Sequence, residues 1–251
     1  MSKTYETGHA KNLANFNSLI SFCEGYGNAY NPAALALTLN SLQTRASDAL
    51  NAFEEAKKKQ LAFNKAVDER MIAFGPLRSL SQRMLAALAA SACSNETLEG
   101  AKTINRKIQG RRKSKTTAGA TEEPTEGQPD ADKPTKNISA SQQSYDNLCA
   151  SFSAFIELLN GQTEYQPNET ELQTTSLYSY LDTLKAANKT VIDAYTLWSN
   201  TRITRNKVMY AKGTGMVDIA QQVKNYVKSV FGNGSPEYKQ VSPLEIKKVP
   251  S

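Results

Sequence analysis

The chain is expected to be all-α, with two tandem duplicated helical-bundle halves joined by a disordered linker. Three observations predict this. Apolar residues recur at helical spacing over almost the whole chain. Two Gly- and Pro-free stretches, each longer than 40 residues, imply one long helix per half. A shift of 135 residues without a gap brings Asn12-Leu13 onto Asn147-Leu148, Tyr30 and Pro32 onto Tyr165 and Pro167, Leu37 onto Leu172, Ser41-Leu42 onto Ser176-Leu177, Ala52 onto Ala187 and Arg70 onto Arg205. The shift is not a whole number of heptads, so helical periodicity alone does not generate these matches.

The expected organisation is an N-terminal tail (1–9), a first helical repeat (10–110), a linker (111–140), a second repeat (141–235) and an extended C-terminal tail (236–251). In the first repeat Leu13, Phe16, Ile20 and Cys23 fall on one helical face, which Gly25 and Gly27 end. Asn31 and Pro32 suit an N-cap and a first helical turn. From there a seam with 4-3-4-3 spacing runs Leu35, Leu39, Leu42, Ala46, Ala49, Phe53, Ala56, Gln60, Phe63, Val67, Arg70 and Phe74. Such a seam favours shallow helix crossings of about 20°. Gly75-Pro76 breaks it. A third helix carries Leu77, Leu80, Met84 and Leu88, and a fourth carries Leu98, Ala101, Ile104 and Ile108.

Residues 111–140 hold Pro124, Pro129 and Pro134 and no apolar periodicity, the composition of a segment that buries too little to offset its ordering entropy. The second half repeats the order of elements. Leu148, Phe152, Phe155 and Leu159 mark a first helix, and Leu177, Leu181, Leu184, Val191, Tyr195 and Trp198 a long one. Gly213 and Gly215 end it, and Met216, Ile219, Val223 and Val227 line the next. In the simplest packing each long helix is a spine with shorter helices antiparallel to it, and the linker leaves the two halves able to pair.

Composition bounds the function. Net charge is +6, distributed as +4 over residues 1–110, +1 over 111–140 and +1 over 141–251, a mild and local basic excess. No signal-peptide pattern opens the chain, and the most apolar run, residues 84–92, is too short to span a bilayer. The three cysteines, Cys23, Cys93 and Cys149, lack metal-site or disulfide spacing and read as small core residues of a cytoplasmic protein. The one histidine, His9, lies in the expected tail, so triads and zinc sites built on imidazole are not expected.

The glycine pairs at 213–215 and 232–234 follow no strand and read as helix-breaking turns, not as phosphate loops. The carboxylate pairs Glu54-Glu55 and Asp68-Glu69 read as an exposed charged face. Tyr195, Trp198, Tyr226 and Phe231 read as core, with an aromatic pocket as the sharper possibility. No catalytic residue, cofactor or metal is expected.

Four stretches, KTINRKIQGRRKSK, SQQSYDNL, YQPNETEL and VKNYVKSVFGNGSPEYKQVSPLEIK, resemble a family of all-helical Bacteroidota proteins with no assigned activity. That family has the same two-part layout around a variable linker. The resemblance implies a bacterial cytoplasmic helical protein and supplies no catalytic or ligand-binding residue.

Two candidate sites remain. The first is a run of seven cations with no acid among them: Lys102, Arg106, Lys107, Arg111, Arg112, Lys113 and Lys115. It could track phosphates in a sequence-independent way, and it could equally be a solvated flank neutralised by Glu122, Glu123, Glu126, Asp130 and Asp132. The second is the repeat-matched pair Arg70 and Arg205, either ion-paired near the helix ends or acting as two equivalent anion contacts. The leading expectation is a non-enzymatic scaffold or interaction module with a protein partner or self-association and no membrane insertion. The alternative is a nucleic-acid-associated protein using residues 102–115.

Overall fold

The computed structural model describes residues 4–110 and 143–249, and these are helical with no strand. The elements are α1 (Thr4–Gly25), α2 (Leu39–Phe74), α3 (Leu77–Ala90), α4 (Asn95–Gln109), α5 (Tyr145–Asn160), α6 (Thr174–Tyr210), α7 (Met216–Phe231) and α8 (Pro236–Val241). Short 3-10 turns at Leu35–Leu37 and Thr170–Leu172 precede the two long helices.

The chain forms two compact units. Unit 1 takes residues 1–64 and 193–251, and unit 2 takes residues 65–192. Both boundaries therefore fall inside the long helices. Each unit has its own core. In unit 1, α1 contributes Leu13, Phe16, Leu19, Ile20 and Cys23, and α7 contributes Met216, Ile219, Ala220, Val223 and Val227. Leu42 and Ala49 of α2, Met209 of α6 and Val241 of α8 complete it. In unit 2, Phe152, Phe155, Ile156 and Leu159 of α5 pack with Leu77, Met84 and Leu88 of α3. Ala101 and Ile108 of α4, Leu177, Leu181 and Leu184 of α6 and Phe74 of α2 close it.

The units differ from the sequence halves because the long helices outrun a single core. α2 has 36 residues and α6 has 37, so each spans about 55 Å at 1.5 Å per residue. α1 and α5, at 22 and 16 residues, cover about 33 and 24 Å. α2 accordingly places Leu42 and Ala49 in one core and Phe74 in the other. α6 places Leu177 to Leu184 in one and Met209 in the other.

Local chemistry sets the ends. The seam of α2 does not begin at Leu35, which is 82% exposed; Leu37 turns inward instead. The 3-10 turn leaves Thr38 extended, and its carbonyl accepts the Leu42 amide at 3.0 Å, which starts the helix at Leu39. The same device stands 135 residues later, where Gln173 is extended and accepts from the Leu177 amide at 3.0 Å. In each joint a buried tyrosine reaches forward seven residues. Tyr30 Oη donates to the Leu37 carbonyl at 2.7 Å, and Tyr165 Oη donates to the Leu172 carbonyl at 2.9 Å. Between α6 and α7, a Cβ on Gly215 would lie 2.6 Å from the Ala211 amide nitrogen, so only glycine permits that turn.

Three expectations are corrected. Of the span 1–9 expected as a tail, residues 4–9 are helical instead, because α1 begins at Thr4, and His9 is 2% exposed, its ring hydrogen-bonded to Tyr210 Oη. The span 236–251 is not wholly extended. Ser235 caps α8 by accepting from the Tyr238 amide at 3.0 Å, and Pro236 occupies its first turn. Beyond α8 the chain turns at Ser242 and then, without regular structure as far as residue 249, runs along α1. There the Asn12 side chain donates to the Lys247 carbonyl at 2.7 Å and accepts from the Lys247 amide at 3.1 Å. Third, the segment expected to join two lobes starts and ends in unit 2. Gln143 Nε2 donates to the Lys107 carbonyl at 2.7 Å, and Arg78 donates to Gln143 Oε1 at 3.2 Å. Gly110, with φ of 72°, lies so close to Gln143 that a Cβ there would meet Oε1 at 2.9 Å.

Tyr30→Phe and Tyr165→Phe each remove the buried hydrogen bond to a carbonyl and leave that carbonyl unpaired, and Tyr30→Phe also removes a hydrogen bond with Cys23. Each is expected to lower unfolding free energy by about 1 kcal/mol. Urea titrations of the two variants check this, with a loss expected in both and the larger one for Tyr30→Phe.

Candidate functional site

The basic cluster begins on α4. Ser94 caps the helix by accepting from the Thr97 amide at 3.2 Å, and left-handed Gly110 ends it. Ala101, Asn105 and Ile108 are buried, which turns the cations outward. Ile104, expected in the core face, is only half-buried and Asn105 takes the inward position, its carbonyl oxygen 3.5 Å from Gln109 Nε2. Lys102 and Arg106 stand one turn apart. Lys107 is about 100° further round and exposed.

Lys102 makes an ion pair with Glu99 at 2.9 Å, an acid that the run of cations does not show because it lies one turn upstream. Arg106 donates to Thr103 Oγ1 at 2.6 Å. Arg106 and Lys107 also occupy the last turn of α4, where positive charge complements the carbonyl end of the helix dipole. Arg111, Arg112, Lys113 and Lys115 lie outside the described residues, as do the acids from Glu122 to Asp132.

Arg70 and Arg205 stand at matched positions with different surroundings. In unit 2 Arg70 lies over the Tyr145 ring at 3.9 Å, and its Nη1 donates to Asn188 Oδ1 at 2.9 Å. Buried Asn188 donates in turn to Asp146 Oδ1 at 2.6 Å, so an amide bridges the guanidinium and the carboxylate. In unit 1 Arg205 is 3% exposed, and its Nε and Nη2 both donate to Asn206 Oδ1 at 3.2 and 3.1 Å.

The aromatic residues divide into two groups. Tyr226 and Phe231 pack on the core of unit 1 against Tyr30 and Tyr26. Tyr195 and Trp198 do not enter a core. Trp198 stacks on Phe63 with centroids 5.3 Å apart and planes 20° apart, Tyr195 stands 5.7 Å from Phe63, and Arg202 lies over Trp198 at 5.2 Å. Tyr195 is 50% exposed, with Leu61, Leu197 and Ile203 of the same unit at 62%, 52% and 65%. The long-helix seam masked this cluster, because periodicity marks a helix face without showing whether another element covers it.

The cysteines are placed as core or near-core thiols, and all three are free. Burial pushes the Cys23 thiol up to about 12, partly offset by a hydrogen bond with Tyr30. Burial and the nearby Asp146 raise that of Cys149. A thiol held protonated is a poor nucleophile and a poor metal ligand. Among the described residues no group of three or more His, Cys, Asp or Glu side chains is arranged to hold a metal, and no helix is long and apolar enough to cross a membrane.

Cys23 gives a pH prediction. Its folded-state value lies above its ordinary 9.0, so its contribution to stability is fully present below pH 9 and is lost as pH rises towards 12. The slope expected from this one thiol is about 1.4 kcal/mol per pH unit. Denaturant titrations between pH 8 and 10 check this, and Cys23→Ala is expected to flatten the curve there.

No protein-family model, curated protein or solved structure matches the chain, so the functional reading rests on its own geometry.

Proposed function

We propose that this protein is a duplicated, non-enzymatic helical module whose role is to bind another protein or a second copy of itself. One observation carries the reading: the half-exposed cluster of Phe63, Tyr195, Trp198 and Arg202, which belongs to neither core. Trp, Tyr and Arg dominate the binding energy of protein interfaces, where large rings and a stacked guanidinium lose little conformational entropy. Leu61, Leu197 and Ile203 add exposed apolar side chains to the same unit. The matched joints at Tyr30–Leu42 and Tyr165–Leu177 support the duplication, since they repeat a turn, a helix start and a tyrosine latch at one constant shift.

Phe63→Ala combined with Trp198→Ala is expected to preserve the circular dichroism spectrum and weaken association at least about tenfold. Sedimentation velocity over a concentration series and affinity capture from the source organism measure it. A chain that stays monomeric and captures no reproducible partner would overturn the proposal. So would association that ignores the double substitution.

The second reading is sequence-independent nucleic-acid binding through Lys102 to Lys115. It is favoured by exposed Lys107 leading directly into Arg111, Arg112, Lys113 and Lys115. It predicts mobility shifts that fade steeply between low and moderate salt and are lost on Arg106, Lys107, Arg111 and Arg112→Ala. Binding indifferent to salt or to those changes excludes it.

A further inference from the structure

The two units treat the turn before the long helix differently. In unit 1 the turn at Tyr30–Pro32 is covered by Tyr226 of α7. The Tyr226 ring stands edge-on to Tyr30, with centroids 5.3 Å apart and planes at 89°. Its Oη accepts the Asn31 amide hydrogen at 3.2 Å, and Pro32 is buried.

In unit 2 the same turn is Tyr165–Pro167, and it faces α3. α3 buries Leu77, Ser81, Met84 and Leu88, with intervals of four, three and four residues. Met216, Ala220, Val223 and Val227 of α7 are buried at the same intervals. That register sets Ala87 where α7 has Tyr226, in each case immediately before the last of the four. The ring is thus replaced by a methyl group.

What remains in unit 2 is an open groove of about 560 Å³, lined by Ala86, Ala87 and Ala90 on one side and Tyr165, Gln166 and Pro167 on the other. That volume takes an aromatic side chain together with the residues that carry it. The Gln166 side chain donates to the Thr163 carbonyl at 3.1 Å, but its backbone N–H, counterpart of the Asn31 donor, has no hydrogen-bond partner among the described residues. Pro167 is only half-buried, whereas Pro32 is covered. The rim is acidic. Glu164 and Glu169 are exposed, and the one cation, Arg83, is held by Glu171 at 2.5 Å. The side chain that fills the seat in unit 1 sits in a basic segment, Lys224-Asn225-Tyr226-Val227-Lys228.

We propose that the unit 2 groove binds a tyrosine presented by a basic segment of a partner protein. The ring stands against Tyr165 over the alanine face of α3, and its hydroxyl oxygen accepts from the Gln166 backbone N–H. The flanking cations meet Glu164 and Glu169. The proposal rests on the duplication reading for the register of α3 against α7.

The test titrates the full chain, with its alanine methyl groups isotope-labelled, against three probes. They are the blocked pentapeptide Lys-Asn-Tyr-Val-Lys, the same peptide with alanine for tyrosine, and p-cresol. The tyrosine peptide is expected to shift the methyl signals of Ala86, Ala87 and Ala90, more weakly as salt rises, and the alanine peptide to bind at least about tenfold less tightly. Ala87→Tyr fills the groove and is expected to abolish the shifts. Should that variant not fold, Glu164→Lys with Glu169→Lys, both on the exposed rim, is expected to weaken peptide binding and leave p-cresol unaffected. Absence of shifts, or equal response to both peptides, overturns the proposal. A response to p-cresol that matches the tyrosine peptide and ignores salt also overturns it, by making the groove a site for free aromatic molecules. A loss of stability from both Tyr30→Phe and Tyr165→Phe with no peptide binding would retain the duplication and reject the groove alone.

Discussion

Helix length is the constraint on which the rest of this structure depends. A helix of 36 or 37 residues presents an apolar seam about 55 Å long, and no 16- to 22-residue helix can cover it. The chain responds by giving each long helix to both cores. Leu42 and Ala49 at one end of α2 serve unit 1, and Phe74 at the other end serves unit 2. Sequence-adjacent elements therefore do not all end in one unit. α1 packs with α7 and α8, from the far end of the chain, and α5 packs with α4, which precedes it and in turn packs with α3.

Polar side chains fix the places where helix periodicity alone would let elements slide. Tyr30 and Tyr165 tie the start of each long helix to the turn before it. Asn12 offers a carboxamide that pairs with both backbone groups of Lys247, which holds the chain after α8 on α1. Asn188 does comparable work between Arg70 and Asp146. Buried amides suit these positions because one side chain carries both a donor and an acceptor, and leaving either unpaired in an apolar setting costs about 1–3 kcal/mol.

The two units also spend their aromatic residues differently. Unit 1 seats Tyr226 and Phe231 over Tyr30 and Tyr26, and leaves Phe63, Tyr195 and Trp198 half-exposed on the long helices. Unit 2 places Ala86, Ala87 and Ala90 of α3 along a groove beside Tyr165. The matched joints at Tyr30 and Tyr165 thus carry different surroundings, one covered by a ring and one left open.

The sequence by itself determined the all-helical class, the order of the helices and most of their inward residues. Those follow from local periodicity and from breakers such as Gly75-Pro76, which act over a few residues. It also determined the constant shift that brings Tyr30 onto Tyr165. It could not show that His9 is enclosed, that Lys102 is answered by Glu99, or that residues 110 and 143 meet. Nor could it show that Tyr195 and Trp198 stay outside a core while Tyr226 enters one. Only the tertiary structure decided these. Burial and pairing depend on which distant element covers a helix face, and a 3.6-residue period is the same whether that face meets a neighbour or water.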